Sequence, residues 1–401
     1  MDITVFRPNQ IGGCITEIKS KEGTRIIIDV GSNLPGIEGE LIDIDSLTKD
    51  SAGVFITHYH GDHVGEYRSV HKGTDIYMGE IAKKIFFTLQ TRLSRNDKTG
   101  VTAENLAKIE FFKTFNHGVP IKVNDITVTP IRTDHSAFDS YMLLVDDGEK
   151  RILHTGDFRN HGKVGEDSLM YIKEYVRDVD ALIIEGTMLS RNNEGVITEE
   201  QLSEEAAGLM NNSKYVFIMC SSTNIDRIAA FYRANKASEN KIFVSDDYQK
   251  TILDIASENS AEYGDYYNFS GSVAFNKEMH YDEMYENGFC MLVRRNRFSE
   301  KFLNSKRFQN GRLFIYSQWS GYLEGRTRDE EIARIVPDDR ISLHTSGHAT
   351  EEAICEICRM VGAPIILPIH SERADRFEDL KTEGRITGEV RRLENGVGVR
   401  V

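Results

Sequence analysis

The stretch GVFITHYHGDHVG, residues 53–65, decides the fold. Its apolar opening, GVFIT, reads as a buried strand, and the polar residues His58, His60, Asp62 and His63 follow at once. His58 and His60 are two apart at a strand end, so their side chains can face the same way. Asp62 and His63 fall where the chain turns into a helix-like segment. Three imidazoles and a carboxylate this close together are poor core material, because none is buried cheaply without a partner. As ligands they suit a borderline divalent metal such as zinc.

One such cluster cannot close two metal sites, and further candidates follow other expected strands. ITVTPIRTDHS offers His135, RILHTGDFR offers Asp157 in a Gly-Asp turn, and PIILPIHSE offers His370. RIIIDVG offers Asp29, expected behind the ligands, where it orients them through hydrogen bonds. Ordinary turn chemistry is the other reading of Asp29.

Further out, the 401 residues leave room for two ordinary domains or for one large domain with an insertion. Hydrophobic content of 40% and charged content of 28% describe a soluble globular chain. No apolar run approaches a membrane span. The opening MDITVFRPNQIGGC alternates polar and apolar residues without a signal pattern, so it is expected to be the first strand of a cytoplasmic protein. The five cysteines are few and scattered, which suits that compartment. Cys355 and Cys358 form a CxxC inside a helical pattern and read as two buried small side chains on one face. A net charge of −14 argues against a protein that coats nucleic acid non-specifically, although it allows a locally positive cleft.

The rhythm of the chain changes once. Short strands dominate up to DALIIEGT, residues 180–187, with helices expected near 79–93 and 102–112. Beyond it, helices (198–212, 224–235, 248–259) alternate with the strands KYVFIMC and KIFVS, a pattern that predicts a parallel sheet. Residues 262–285 resist assignment. From residue 340 the chain reads ISLHT, a helix at 350–361, PIILPIH, a helix at 373–382 and a last strand near Val397. The expected organisation is an α/β catalytic domain at 1–188, completed by 339–401 and interrupted by an inserted α/β domain at 189–338.

DVG, HYHGDH, the isolated His135 and HTGD are similar, in order, to the motifs of the metallo-β-lactamase superfamily, and the resemblance spans almost the whole chain. It implies an αββα sandwich with one metal held by His58, His60 and His135. A second would be held by Asp62, His63 and His370, with Asp157 bridging. IIEGT (Glu185), HTSGHA (His348) and PIHSE (His370) resemble the three further motifs of the β-CASP nucleases. That group carries its inserted domain between the equivalents of Glu185 and His348. HTSGHA and PIHSE are most similar to the ribonuclease J type, and a histidine at the last motif goes with RNA rather than DNA. The chain stops soon after PIHSE, so the C-terminal domain of that type is expected to be absent, and SQWSGYLEG, residues 317–325, also departs from it.

The resemblance thus implies a two-metal phosphodiesterase of single-stranded RNA, acting as an endonuclease, a 5′-3′ exonuclease or both. A hydroxide shared by the metals would attack phosphorus in line. Zinc is expected, with manganese as the alternative. Asp62, Asp157, His348 and Glu185 are the expected catalytic residues. His348, on the turn SGHA, would contact the scissile phosphate or protonate the leaving oxygen, and Glu185 would support a histidine. His154 and His344 lie close to motifs and join Asp29 as supporting residues, whereas His71, His117, His161 and His280 read as structural. Ser346, Gly347 and the amides of the following helix suggest a phosphate cradle. Arg294, Arg295 and Arg297, in a basic segment with interleaved Phe at 292–308, suit a single strand, as does Trp319. A solvated helix face and a domain-junction anchor are the respective alternatives. Dimerisation stays open.

Three other functions compete. A small-ester or thioester hydrolase on the same fold has no need of a large insertion. A DNA nuclease is disfavoured by His370 alone. A non-catalytic RNA-binding scaffold predicts a damaged ligand set, and no ligand is missing.

Overall fold

In the computed structural model, residues 1–401 are described apart from 35, 38, 192–194 and 276, together with the side chains at 97, 277–280 and 326. His280 therefore lies outside the described side chains.

Ile3 and Val5 are buried between half-buried neighbours in the strand Asp2–Phe6, the period-two pattern of a sheet with one covered face. Such strands build two seven-stranded sheets. In the first, the order runs Gly398–Arg400, Asp2–Phe6, Ile15–Lys19, Arg25–Ile28, Val54–Phe55, Ile76–Gly79, Lys113–Phe115. In the second it runs Glu389–Val390, Ile365–Ile369, Ala181–Glu185, Arg151–His154, Ser140–Asp146, Ile126–Thr133, Ile121–Val123. The sheets share one core, in which Ile3, Ile26 and Phe55 of the first join Val128, Leu143, Ile183 and Leu367 of the second. Helices Gly165–Tyr175 and Glu351–Val361 cover the other face of the second sheet. Helix Glu80–Ser94 packs on the strands Ile76–Gly79 and Lys113–Phe115 of the first. Two sheets between helix layers are the α/β sandwich that the sequence implies.

The chain divides into two compact units, Met1–Val196 with Gly347–Val401, and Ile197–Ser346. The second unit is built on a six-stranded parallel sheet, ordered Ser272–Ala274, Ile242–Ser245, Phe289–Leu292, Tyr215–Met219, Arg312–Tyr316, Ile341–Ser342. ISLHT, expected in the completing part of the first domain, pairs instead with Arg312–Tyr316. Leu343 N–H extends that pairing to Tyr316 O at 3.0 Å. Leu189, expected in the insertion, packs in the first unit's core with Ile354 and Phe377. Both crossings therefore lie further along the chain than 189 and 338.

Cys355 and Cys358 are buried on the inner face of helix Glu351–Val361, and all five cysteines are free thiols. Among the described residues, no helix is long and apolar enough to cross a membrane.

Candidate metal centre

Parallel pairing aligns strand ends. His154 is level with Ile183, and Glu185 with Ile369, so the segments after three neighbouring strands of the second sheet emerge together. In the first sheet Ile28 is level with Phe55, which sets Asp29 beside the turn that carries His58 to His63. Chemistry-bearing residues from both sheets of the first unit meet at this end.

Among the described residues three groups of ligand atoms result, the atoms of each within 4.8 Å of one another: His58, His60 and His135; Asp62, His63, Asp157 and His370; and, overlapping the second, Asp157, Glu185, His348 and His370. In the first group, His60 Nδ1 is 3.2 Å from His58 Nε2 and 3.2 Å from His135 Nε2. Tetrahedral zinc with Zn–N near 2.0–2.1 Å separates its nitrogens by roughly 3.3 Å, so the spacing fits. Burial, aided by the neighbouring imidazoles, drives His58 and His135 well below the usual histidine range. Burial likewise drives His60 down to about 4. These rings are neutral and offer lone pairs where a proton is disfavoured.

Hydrogen bonds fix which nitrogens face inward. Asp29 accepts from Thr57 N–H and from the Thr57 hydroxyl, each at 2.8 Å. With its proton given to Asp29, Thr57 Oγ1 accepts from His58 Nδ1 at 3.1 Å, which bares His58 Nε2. Asp29 Oδ2 also meets His63 Nδ1 at 2.8 Å and turns His63 Nε2 toward Asp157 Oδ2, 3.1 Å away. Burial disfavours charge on His63, but the carboxylates of Asp157 and Asp29 outweigh it and raise its pKa well above the ordinary value. Asp157 is held well below the carboxylate range despite its burial, chiefly by His370, His63 and His348. Asp157 Oδ1 is buried with no hydrogen-bond partner. An orphaned carboxylate oxygen amid converging lone pairs is what a bound divalent cation would satisfy, so the residues present fit such an ion.

Asp157 sits on a turn that only glycine serves. Gly156 has φ 53°, and a Cβ there would lie 2.9 Å from Thr57 Cβ. His154 braces the turn: its Nδ1 accepts Gly156 N–H at 3.0 Å, and its Nε2 lies 3.1 Å from Thr16 Oγ1. His370 follows its strand at φ 50°. Its Nδ1 lies 2.8 Å from the Thr187 hydroxyl, which also donates to His370 O at 3.3 Å. Its Nε2 accepts Gly12 N–H at 2.9 Å and faces Asp62 Oδ2 at 3.5 Å.

His348 and Glu185 adjoin the second group. Glu185 is buried and accepts Phe158 N–H at 3.0 Å and Thr187 N–H at 3.2 Å. His348 Nδ1 lies 3.3 Å from Glu185 Oε1 and 3.5 Å from Asp157 Oδ2. Burial opposes charge on His348, but Glu185 and Asp157 raise its pKa. Gly347 lets this loop close on the His135 loop, since a Cβ there would lie 2.6 Å from Ser136 Oγ.

The remaining expected residues belong to the second unit. His344 Nδ1 faces Arg227 Nη1 at 3.1 Å, within a buried network in which Arg227 forks onto Glu199. Ser346 is half-buried at the end of this unit. Arg294 is engaged by Asp246, Arg295 by Asp329 at 2.6 Å, and Arg297 is exposed. The phenylalanines of the basic segment, Phe298, Phe302 and Phe308, pack into the core around Phe289 and are not free to stack. Trp319 is half-buried, edge-on to Tyr322 at 5.6 Å.

Residues missing from the sequence reading support the site: Thr57 beneath His58, Thr187 beneath His370, and Tyr59, whose hydroxyl accepts Phe138 N–H at 2.6 Å and ties the His135 loop to the HYH turn. The position of Tyr59 between two candidate ligands was the available signal.

The chain matches the family described as "Beta-lactamase superfamily domain" over residues 24–218. It is 23% identical to Ribonuclease J of Helicobacter pylori over 397 residues, which cover 90% of this chain and 55% of that protein. The chain thus spans little more than half of that relative. It is 22% identical to Ribonuclease J of Sinorhizobium meliloti over 404 residues, covering 92% and 67% respectively. With "Probable RNase MJ4" of Methanocaldococcus jannaschii it shares 28% identity over 189 residues, 44% of this chain and 43% of that one. A crystal structure of a protein of unknown function from Enterococcus faecalis V583 superposes with a TM-score of 0.74 at 20% identity, covering 99% of each chain.

Proposed function

We propose that this chain is a ribonuclease J-like relative within the metallo-β-lactamase superfamily and acts as a metal-dependent phosphodiesterase of single-stranded RNA. The observation that carries the reading is the pair of ligand groups joined at Asp157: His135 Nε2 and His58 Nε2 border one, and His58 Nε2 lies 4.0 Å from Asp157 Oδ2 of the other. When bound there, two divalent cations would acidify an attacking water and stabilise charge gathering on a phosphoryl group. The imidazole-rich first group favours zinc, with manganese also served by the His and carboxylate donors.

The chain's own residues do the rest. Asp157 ties the two groups together. His348, carrying a proton that Glu185 and Asp157 favour, is the donor to the leaving oxygen. Glu185 holds that imidazole while its second oxygen is fixed by Thr187 N–H. Asp29, through Thr57 and His63, keeps the ligand nitrogens aimed. Gly347 and Ser346 supply a loop for a backbone phosphate. The second unit is read as the counterpart of the β-CASP insertion, and within it the exposed Arg297 is a side chain open to a nucleic-acid backbone.

A time course on 5′-phosphorylated single-stranded RNA labelled at its 3′ end tests this, with matched DNA, zinc or manganese, and Asp157→Ala as the control. RNA loss that requires Asp157 and spares DNA is expected, and the ladder separates endonuclease from 5′-3′ exonuclease. Intact RNA in protein with metal bound overturns the substrate and leaves the centre to DNA or small esters.

A further inference from the structure

The second ligand group joins residues from far apart in the chain, Asp62 and His370, and one short loop touches both. Gly12 N–H donates to His370 Nε2 at 2.9 Å, and the adjoining Gly13 N–H donates to Asp62 O at 3.1 Å. The far side of Asp62 is set by a second loop. A Cβ at Gly31 would lie 1.8 Å from Asp62 O, so the backbones touch there with no room for a side chain. Val30 N–H and Ser32 N–H donate to His63 O at 2.8 Å and Gly61 O at 3.1 Å. The Asp62 carbonyl is thus held between Gly13 and Gly31.

Arg7 closes this clasp. Its buried Nη1 donates to Gly13 O at 3.1 Å and Gly31 O at 3.2 Å, while Nε and Nη2 donate to Glu40 O at 3.2 and 2.8 Å. A planar fork reaching three carbonyls fixes loops in a way a flexible ammonium cannot. Arg7 is itself at φ 58°, and its N–H is held by Asn395 Oδ1 at 2.7 Å. The three-histidine group is braced by other contacts, Thr57 on His58 and Tyr59 on the His135 loop.

We infer that Arg7 is a positioning residue for the second metal alone, fixing Asp62 through the Gly13 and Gly31 loops that grip its backbone. This rests on the two-metal reading above. A metal taken up at His370 Nε2 would displace the Gly12 hydrogen bond, and its affinity would then depend on how firmly Arg7 holds the Asp62 side of the site through Gly13 and Gly31.

The test is a titration of chelator-stripped full-length protein with zinc against a chromophoric competitor, checked by cobalt absorption. Wild type is expected to bind two ions per chain. Arg7→Met is expected to keep the tighter ion at wild-type affinity and to lose at least about tenfold at the other, since supports of this kind are worth roughly 10–100-fold. Arg7→Lys, the milder change should Arg7→Met fail to fold, is expected to shift the same ion by less. Equal weakening of both ions, or none at either, overturns the role of Arg7. Fewer than two ions in wild type overturns the two-metal reading, and the inference with it.

Discussion

Asp29 Oδ2 lies 2.8 Å from His63 Nδ1, and both side chains are buried. Were a metal to displace one proton of His63, that contact would keep the other on Nδ1 and leave Nε2 facing Asp157. Asp29→Asn places an amide beside the same ring and favours the opposite tautomer, with the proton where a metal would bind. Metal affinity is expected to fall roughly 10–100-fold while the circular dichroism of the stripped protein stays unchanged. Unaltered affinity in a competitive titration would remove Asp29 from the site.

Tyr59→Phe removes the acceptor of a buried amide. Without the hydrogen bond to Phe138 N–H, the variant is expected to lose about 0.5–1.5 kcal/mol in urea unfolding. Its first ion should bind more weakly, because the His135 loop loses its tie to the HYH turn. A variant as stable as wild type, with both ions equally tight, would show the tie to be incidental.

His348 lies within ligand distance of Asp157 and His370 as well as Glu185. A proton donor and a metal ligand leave different marks. His348→Ala is expected to lower kcat on RNA by about 10²–10⁴ with two ions still bound. Loss of an ion by metal analysis would make it a ligand instead.

Glu351 opens the helix that follows the His348 loop and forks onto Arg376, with Oε2 to Nε at 2.8 Å and Oε1 to Nη2 at 3.0 Å. The Arg376 hydrogen bond, helped by Arg385, holds its carboxyl below the usual range. A depressed folded pKa gives stability that is present above the unfolded value and lost as pH falls through the folded one. Glu351→Gln is therefore expected to cost about 1 kcal/mol near neutrality. The difference from wild type should close below the ordinary carboxylate range. A gap that persists in acid, measured by thermal unfolding, would assign the loss to packing.

Arg294 and Arg297 should part company. Arg297→Ala is expected to weaken RNA retention and reduce the log–log salt slope by about 0.7, as for one contact to a single strand. Arg294→Ala should act mainly on stability, because it abandons Asp246. A reversed pattern in filter binding and unfolding would place the strand elsewhere.

The candidate ligands were legible because each lies in the segment that follows a strand, and a strand followed by Asp or His is a local pattern. Their supports were not. Thr57, Thr187 and Arg7 each act through a partner tens to hundreds of residues away, Asp29, His370 and Gly31 respectively, which only the folded chain brings near. The sheet that a strand joins was equally hidden: the composition of ISLHT marks it as extended but carries nothing about its neighbour. In the basic segment the charges drew attention to a surface, yet period and size send Phe302 and Phe308 inward, and only packing reveals which role wins.

Ligands drawn from strand ends so far apart have a consequence for how the protein comes into being. His58, His60 and His135 leave the ribosome long before His370, which is 235 positions beyond His135. At ordinary elongation rates the interval is about 10–50 s. A half-made chain therefore holds one complete candidate ligand set and lacks part of the other, so a site that needs both sets forms only once His370 has emerged.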